Sequence, residues 1–194
     1  MAALDLTRRI AHPKDRDADA PMPRLEWLVT NGLGGYASGT VAGVVTRRYH
    51  GLLVASLPAP LGRMVLLNHL LERVRLGDGR VVWLGDESRV AGTNAADRGG
   101  TLIEFRLDLG LPVWVYEFAG LRLEKRLLMP HGHNTTHLTY RLVSGKGPVR
   151  LTLRPSIHFR SYEAPVTEGG SLPYTVNAMK NHYEVCAGPG FPTG

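Results

Sequence analysis

The chain has 194 residues, of which 43% are hydrophobic and 21% charged. Its one cysteine, Cys186, excludes an internal disulfide framework and a cysteine-based zinc finger, and no apolar run approaches the ~20 residues that span a bilayer as a helix. Lys+Arg 23 against Asp+Glu 17 leaves a net charge of +6, but the arginines are interspersed with acids and no basic block of the nucleic-acid-binding kind occurs, so neither a nucleic acid nor a membrane is expected as partner.

Residues 1–23 are polar and punctuated by Pro13, Pro21 and Pro23. They read as a flexible leader with a short helical turn over residues 4–10. Charges stand where a signal peptide needs its apolar core, so a cytoplasmic location is expected. One domain is expected over residues 24–194. It opens with Glu26-Trp27-Leu28-Val29-Thr30, a short strand.

A segment rich in glycine follows, with Asn31, Gly32, Gly34, Gly35, Gly39 and Gly43. That density breaks a helix or a regular strand and predicts a tight irregular loop, with or without a ligand. The segment closes on Thr46-Arg47-Arg48-Tyr49-His50-Gly51. Leu52-Leu53-Val54-Ala55 is then a buried-type strand, ended by Pro58 and Pro60.

From Arg63 the pattern is β almost throughout. Residues 64–76 form an apolar strand with an acid inside it. Gly77-Asp78-Gly79 is a hairpin turn, and 81–84 is the return strand. Residues 86–100 are polar and glycine-containing, which predicts a loop. Strict alternation marks 102–109 as a strand. Pro112 interrupts, and 113–118 and 121–127 flank an Ala119-Gly120 turn. Residues 137–143 and 149–154 are joined by Gly145-Lys146-Gly147-Pro148. Two last strands, within 174–179 and 183–186, flank Asn181-His182. Many short strands with Gly/Pro turns and little helix predict an all-β fold, a large antiparallel β-sandwich.

Tested as chemistry, the glycine segment fails as a dinucleotide site, because no helix pattern follows and no acid lies about 20 residues on. It fails as a P-loop because Gly-Lys-Ser/Thr is absent. The run from Thr46 to His50 is the most concentrated in side-chain chemistry. Read as extended, it puts Arg47 and Tyr49 on one face and Arg48 and His50 on the other. It either orients a carboxylate or sugar hydroxyls, or forms a structural salt bridge at a strand entrance. His131, His133 and His137 lie in a turn and lack a Cys or acid close by, so no metal and no cofactor is expected. Among the carboxylates Glu26, Glu72, Asp86, Glu87, Glu104, Glu117, Glu163 and Glu168, no pair stands out as a hydrolytic acid and base.

The block from Glu26 to Thr40, reading EWLVTNGLGGYASGT, runs into Thr46-Arg47-Arg48-Tyr49-His50-Gly51-Leu52-Leu53. It resembles the N-terminal domain of bacterial and archaeal-type glycogen debranching enzymes, the amylo-α-1,6-glucosidases. The likeness continues through Arg63, 66–74, 125–134 and 140–155. It implies a supersandwich of the galactose-mutarotase-like kind, placed before an (α/α)6 barrel that carries the catalytic carboxylates. It implies a glycoside hydrolase of glycogen catabolism acting on α-1,6-linked glucose. No catalytic residue is then expected in this chain, which is read as truncated before the barrel. The expected partners are an α-glucan, glycogen or limit dextrin, and the barrel itself. The residues expected to bind substrate or meet the barrel are Asn31, Gly32, Gly34, Gly35, Tyr36, Thr46, Arg47, Arg48, Tyr49 and His50. The alternative is a stand-alone α-glucan-binding β-sandwich, with Tyr36, Tyr49, Trp83 and Trp114 as stacking faces, although alternation favours core positions for the two tryptophans. One departure is that similar sequences tend to read Arg-Asp-Tyr-His where this chain has Arg160-Ser161-Tyr162-Glu163, which weakens any role given to that loop.

Overall fold

The computed structural model describes the backbone of residues 8–10 and, in full, residues 25–85, 100–167, 173–188 and 191. One sheet contains β1 (Arg8–Ile10), β7 (Thr101–Asp108), β8 (Leu111–Phe118), β9 (Leu121–Leu128) and β10 (His137–Ser144), in the order β1-β7-β8-β9-β10. The other contains β2 (Glu26–Thr30), β3 (Tyr36–Thr40), β4 (Gly51–Ser56), β5 (Arg63–Leu76) and β11 (Val149–Ser161), in the order β11-β5-β4-β3-β2. In that second sheet β6 (Val81–Leu84) pairs with β5. A separate hairpin joins β12 (Thr175–Ala178) to β13 (Tyr183–Cys186). Every pairing is antiparallel, and the described residues contain no helix. The fold is the expected all-β sandwich.

Period two sorts the side chains. Along β2, Trp27 and Val29 are buried while Glu26, Leu28 and Thr30 are exposed. Trp27 meets Trp114 of β8 edge-on, with centroids 5.3 Å apart. Each indole N–H donates to a backbone carbonyl, Trp27 to Thr40 and Trp114 to Val41. Large apolar side chains such as these contribute about 1.5–3 kcal/mol each when fully buried, and they join the two sheets in one core. The acid within β5 is Glu72, 2% exposed. Lys125 of β9 meets it across the sandwich at 2.7 Å, and the Tyr140 hydroxyl donates to it. Burial and the nearby Glu72 charge push the Tyr140 phenol well up.

Four expectations need correction. Tyr36–Thr40 is a strand despite its glycine, with a register shift between Tyr36 and Ser38 in its pairing to β4. A Cβ on Gly39 would lie 3.3 Å from the Trp27 ring, so this glycine leaves room for the indole instead of breaking the strand. Of the helical turn expected at 4–10, the described part, Arg8–Ile10, is a strand on β7; the remainder of the leader lies outside the described residues. Pro112 sits within β8, opposite Leu107 and fully buried, near the strand start where a missing N–H is tolerated. β11 runs on through Pro155 to Ser161, as an edge strand permits. Of the loop expected at 86–100, only Gly100 is described.

Candidate functional site

The outer face of β2 and β3 presents Glu26, Leu28, Thr30, Tyr36 and Ser38. The Arg47–Tyr49 segment covers part of this face. It is a turn, closed by the His50 N–H on the Arg47 carbonyl, and not the extended run expected. Consequently Arg47 and His50 do not diverge. Arg47 Nε donates to Glu26 Oε1 at 2.5 Å, and His50 Nε2 lies 3.5 Å from the same oxygen.

The turn is held from several sides. The Tyr36 and Ser38 hydroxyls both donate to the Tyr49 carbonyl. Arg160, at the end of β11, donates to the Arg48 carbonyl at 2.6 Å and to the carbonyls of Ser161 and Ala164. The Arg48 guanidinium donates to the Tyr49 hydroxyl. Tyr162 stands 5.9 Å from the Tyr49 ring, and Arg63 lies over Tyr162. The departing Arg160–Glu163 stretch therefore supports the turn.

His50 is buried. Its Nδ1 accepts the Thr46 backbone N–H at 3.2 Å. The ring proton of the neutral form then belongs on Nε2, facing Glu26. Burial lowers its pKa, Glu26 opposes the shift, and Arg47 adds to it. Tyr36 is shifted up, chiefly by burial, with Arg63 working against the rise.

The glycine turn is built on Asn31, which is fully buried. Its Oδ1 accepts the Leu33 N–H, and its amide donates to the His133 carbonyl and to Asn134 Oδ1. Asn134 also bonds both the N–H and the C=O of Ser56, so it ties the 130–136 segment to β4 as a strand backbone would. A Cβ on Gly35 would come within 2.7 Å of the Asn31 amide and 2.9 Å of Asn134, so only glycine closes this turn. The His131 ring packs on Gly32, and Arg63 Nε donates to the Gly34 carbonyl.

Together these elements form an open groove of about 680 Å³. Gly34, Gly35, Tyr36, Arg47, Tyr49 and His50 line it. Asn31, Gly32, Thr46 and Arg48 do not; Asn31 is buried beneath the glycine turn, and the exposed Thr46 and Arg48 bond to the lining residues His50 and Tyr49. Sequence reasoning missed Glu26, Thr30, Ser38 and Arg63, which also line it. Alternation in β2 was the usable signal for Glu26 and Thr30. Arg63 arrives from a distant strand and carried none. Trp114 is core and presents no stacking face, while Trp83 lies half-buried on the outer face of β6, outside the groove.

A family profile described as glycogen debranching enzyme N terminal matches residues 25–193. No curated protein and no solved structure matches the chain. The profile spans the strands from β2 to β13, including both walls of the groove. The chain therefore belongs to the glycogen debranching enzyme N-terminal family.

Proposed function

We propose that this chain is the non-catalytic N-terminal module of a glycogen debranching enzyme, a hydrolase of α-1,6-glucosidic branch points. Its outer groove lines and braces the sugar site of an (α/α)6 catalytic barrel and touches the α-glucan held there. The observation that carries the reading is the groove's chemistry. Glu26, Arg47, Arg63, Tyr36, Tyr49 and Ser38 converge beside a rigid glycine turn. Carboxylate, guanidinium and hydroxyl groups suit sugar hydroxyls, and phenol rings suit sugar faces.

Among the described residues the groove lining contains one carboxylate, Glu26, already engaged by Arg47. Glycosidic hydrolysis ordinarily needs two, roughly 5–10 Å apart across the bond. This supports placing catalysis on the barrel. The second reading, a stand-alone α-glucan-binding sandwich, draws on Tyr36 and Tyr49, whose rings border the groove.

The test is to titrate maltooligosaccharides into the chain and follow intrinsic fluorescence, then to assay glucose release from limit dextrin. The module reading expects weak binding, with Kd of about 1 mM or more, lost in Tyr49→Ala, and no glucose release. Sustained release would overturn it. Binding tighter than about 10 μM by the chain alone would favour the second reading.

A further inference from the structure

Alternation along β5 sends Glu72, Val74 and Leu76 to the core and Leu71, Arg73 and Arg75 outward. The β5–β11 register then sets Arg150 directly opposite Arg75, Thr152 opposite Arg73, and Arg154 opposite Leu71. On the other side of β5, Val81 and Trp83 of β6 stand opposite Arg75 and Arg73. All four arginines are exposed. Among the described residues none has a carboxylate partner, and no acid occupies an outward position of this face. The Arg73 guanidinium lies over the Trp83 ring at 5.9 Å.

Like charges directly opposite on paired strands are destabilising. This chain neutralises arginines on its other sheet, where Glu104, Asp108, Glu117 and Glu124 pair with Arg106, Arg126, Arg122 and Arg141. A local rule broken without compensation marks a surface held for a partner. Half-buried Leu71, Val81 and Trp83 lie between the arginines. Tryptophan and arginine without lysine is the composition of protein-interface centres. Arg73 lies over one face of the Trp83 ring, where a nucleic-acid base would have to compete with it for stacking.

We propose that the outward face of β5, β6 and β11, centred on Arg73, Arg75, Arg150 and Arg154, docks an extended acidic segment of a protein partner. Carboxylates sit in the guanidinium forks. Arg73 and Arg75 repeat at about 6.6–6.8 Å along the strand, the spacing of alternate acidic side chains in an extended chain. The surface shares no residue with the groove lining.

The experiment uses the 194-residue chain, poly-L-glutamate as probe, and Arg150→Glu as the variant. That substitution places opposite charges at the Arg75 position, so it keeps the fold while erasing the paired positive charge. Thermal midpoints of the two proteins verify this. The proposal expects salt-sensitive binding that weakens about tenfold or more in Arg150→Glu. It expects a change of less than about twofold in Lys180→Glu, an exposed site on the β12–β13 turn with the same charge change. Equal losses in both variants, no binding by the unaltered chain, or tighter binding of oligodeoxythymidylate than of poly-L-glutamate would each overturn it.

Discussion

The outer faces of the two sheets carry arginines in similar number and treat them in opposite ways. On β7–β10 each guanidinium has a carboxylate at 2.6–3.0 Å. Glu124, 5% exposed in its side chain, receives Arg106, Arg126 and Arg141. Burial alone would raise its pKa, but hydrogen bonds from Arg126 and Arg106 and the surrounding positive charge hold it down at about 2. On the outward face of β5 and β11, Arg73, Arg75, Arg150 and Arg154 have no carboxylate partner among the described residues. The difference teaches that +6 is a poor description of this protein. The arginines of the β7–β10 outer face are balanced by its own acids, while the four on the outward face of β5 and β11 are not.

The comparison predicts that removing a charge costs stability in proportion to its burial and pairing. The largest effect is expected in the core. Lys125→Met strands Glu72 without its ion-pair partner and should destabilise by about 3–5 kcal/mol in denaturant melts. An unchanged midpoint would break the hierarchy. Next, Glu124→Gln removes the charge that Arg106, Arg126 and Arg141 share and should cost about 2 kcal/mol.

The same carboxylate fixes an acid limb. Its folded pKa of about 2 lies below the ordinary 4.5. The unfolded chain therefore takes up this proton first as pH falls. The stabilisation is complete above about 4.5 and disappears towards about 2. The thermal midpoint should fall across that window, and less steeply in the Gln variant.

A smaller effect belongs to the groove. His50→Phe removes the acceptor of the Thr46 N–H and should cost about 1 kcal/mol. Burial lowers the His50 pKa from 6.5, so the unfolded chain binds this proton more tightly. Stability should decline as pH drops below 6.5 in the native chain, and this component should be missing in the Phe variant. The smallest effect is a gain. Arg150→Glu replaces a like-charge pair and should add about 0.2–1 kcal/mol, read as a higher urea midpoint. A loss would show that the bare face already satisfies itself.

Much of the architecture was legible because it rests on local rules. Alternation in 102–109, the Gly77–Gly79 turn and the Ala119–Gly120 turn each specify a hairpin within a dozen residues. Glycine content misled at β3. Whether a glycine breaks a strand or makes room for a ring depends on Trp27, which sits across the pairing. The Arg47–His50 run also misled. Its turn is closed by its own backbone, but held down by Tyr36, Ser38 and Arg160 from other strands.

The sequence by itself determined the all-β class, most strand positions and the family block, since period-two burial and turn chemistry act between near neighbours. It also marked the stretch from which six groove residues come. Only the tertiary structure decided that Glu26 and Arg63 join them, that Glu72 is a core ion-pair member, and which arginines are paired. Those facts depend on strand register, which brings together residues up to 112 positions apart, as at Arg48 and Arg160. Register is a collective result of packing two sheets over one core, and no local spacing encodes it.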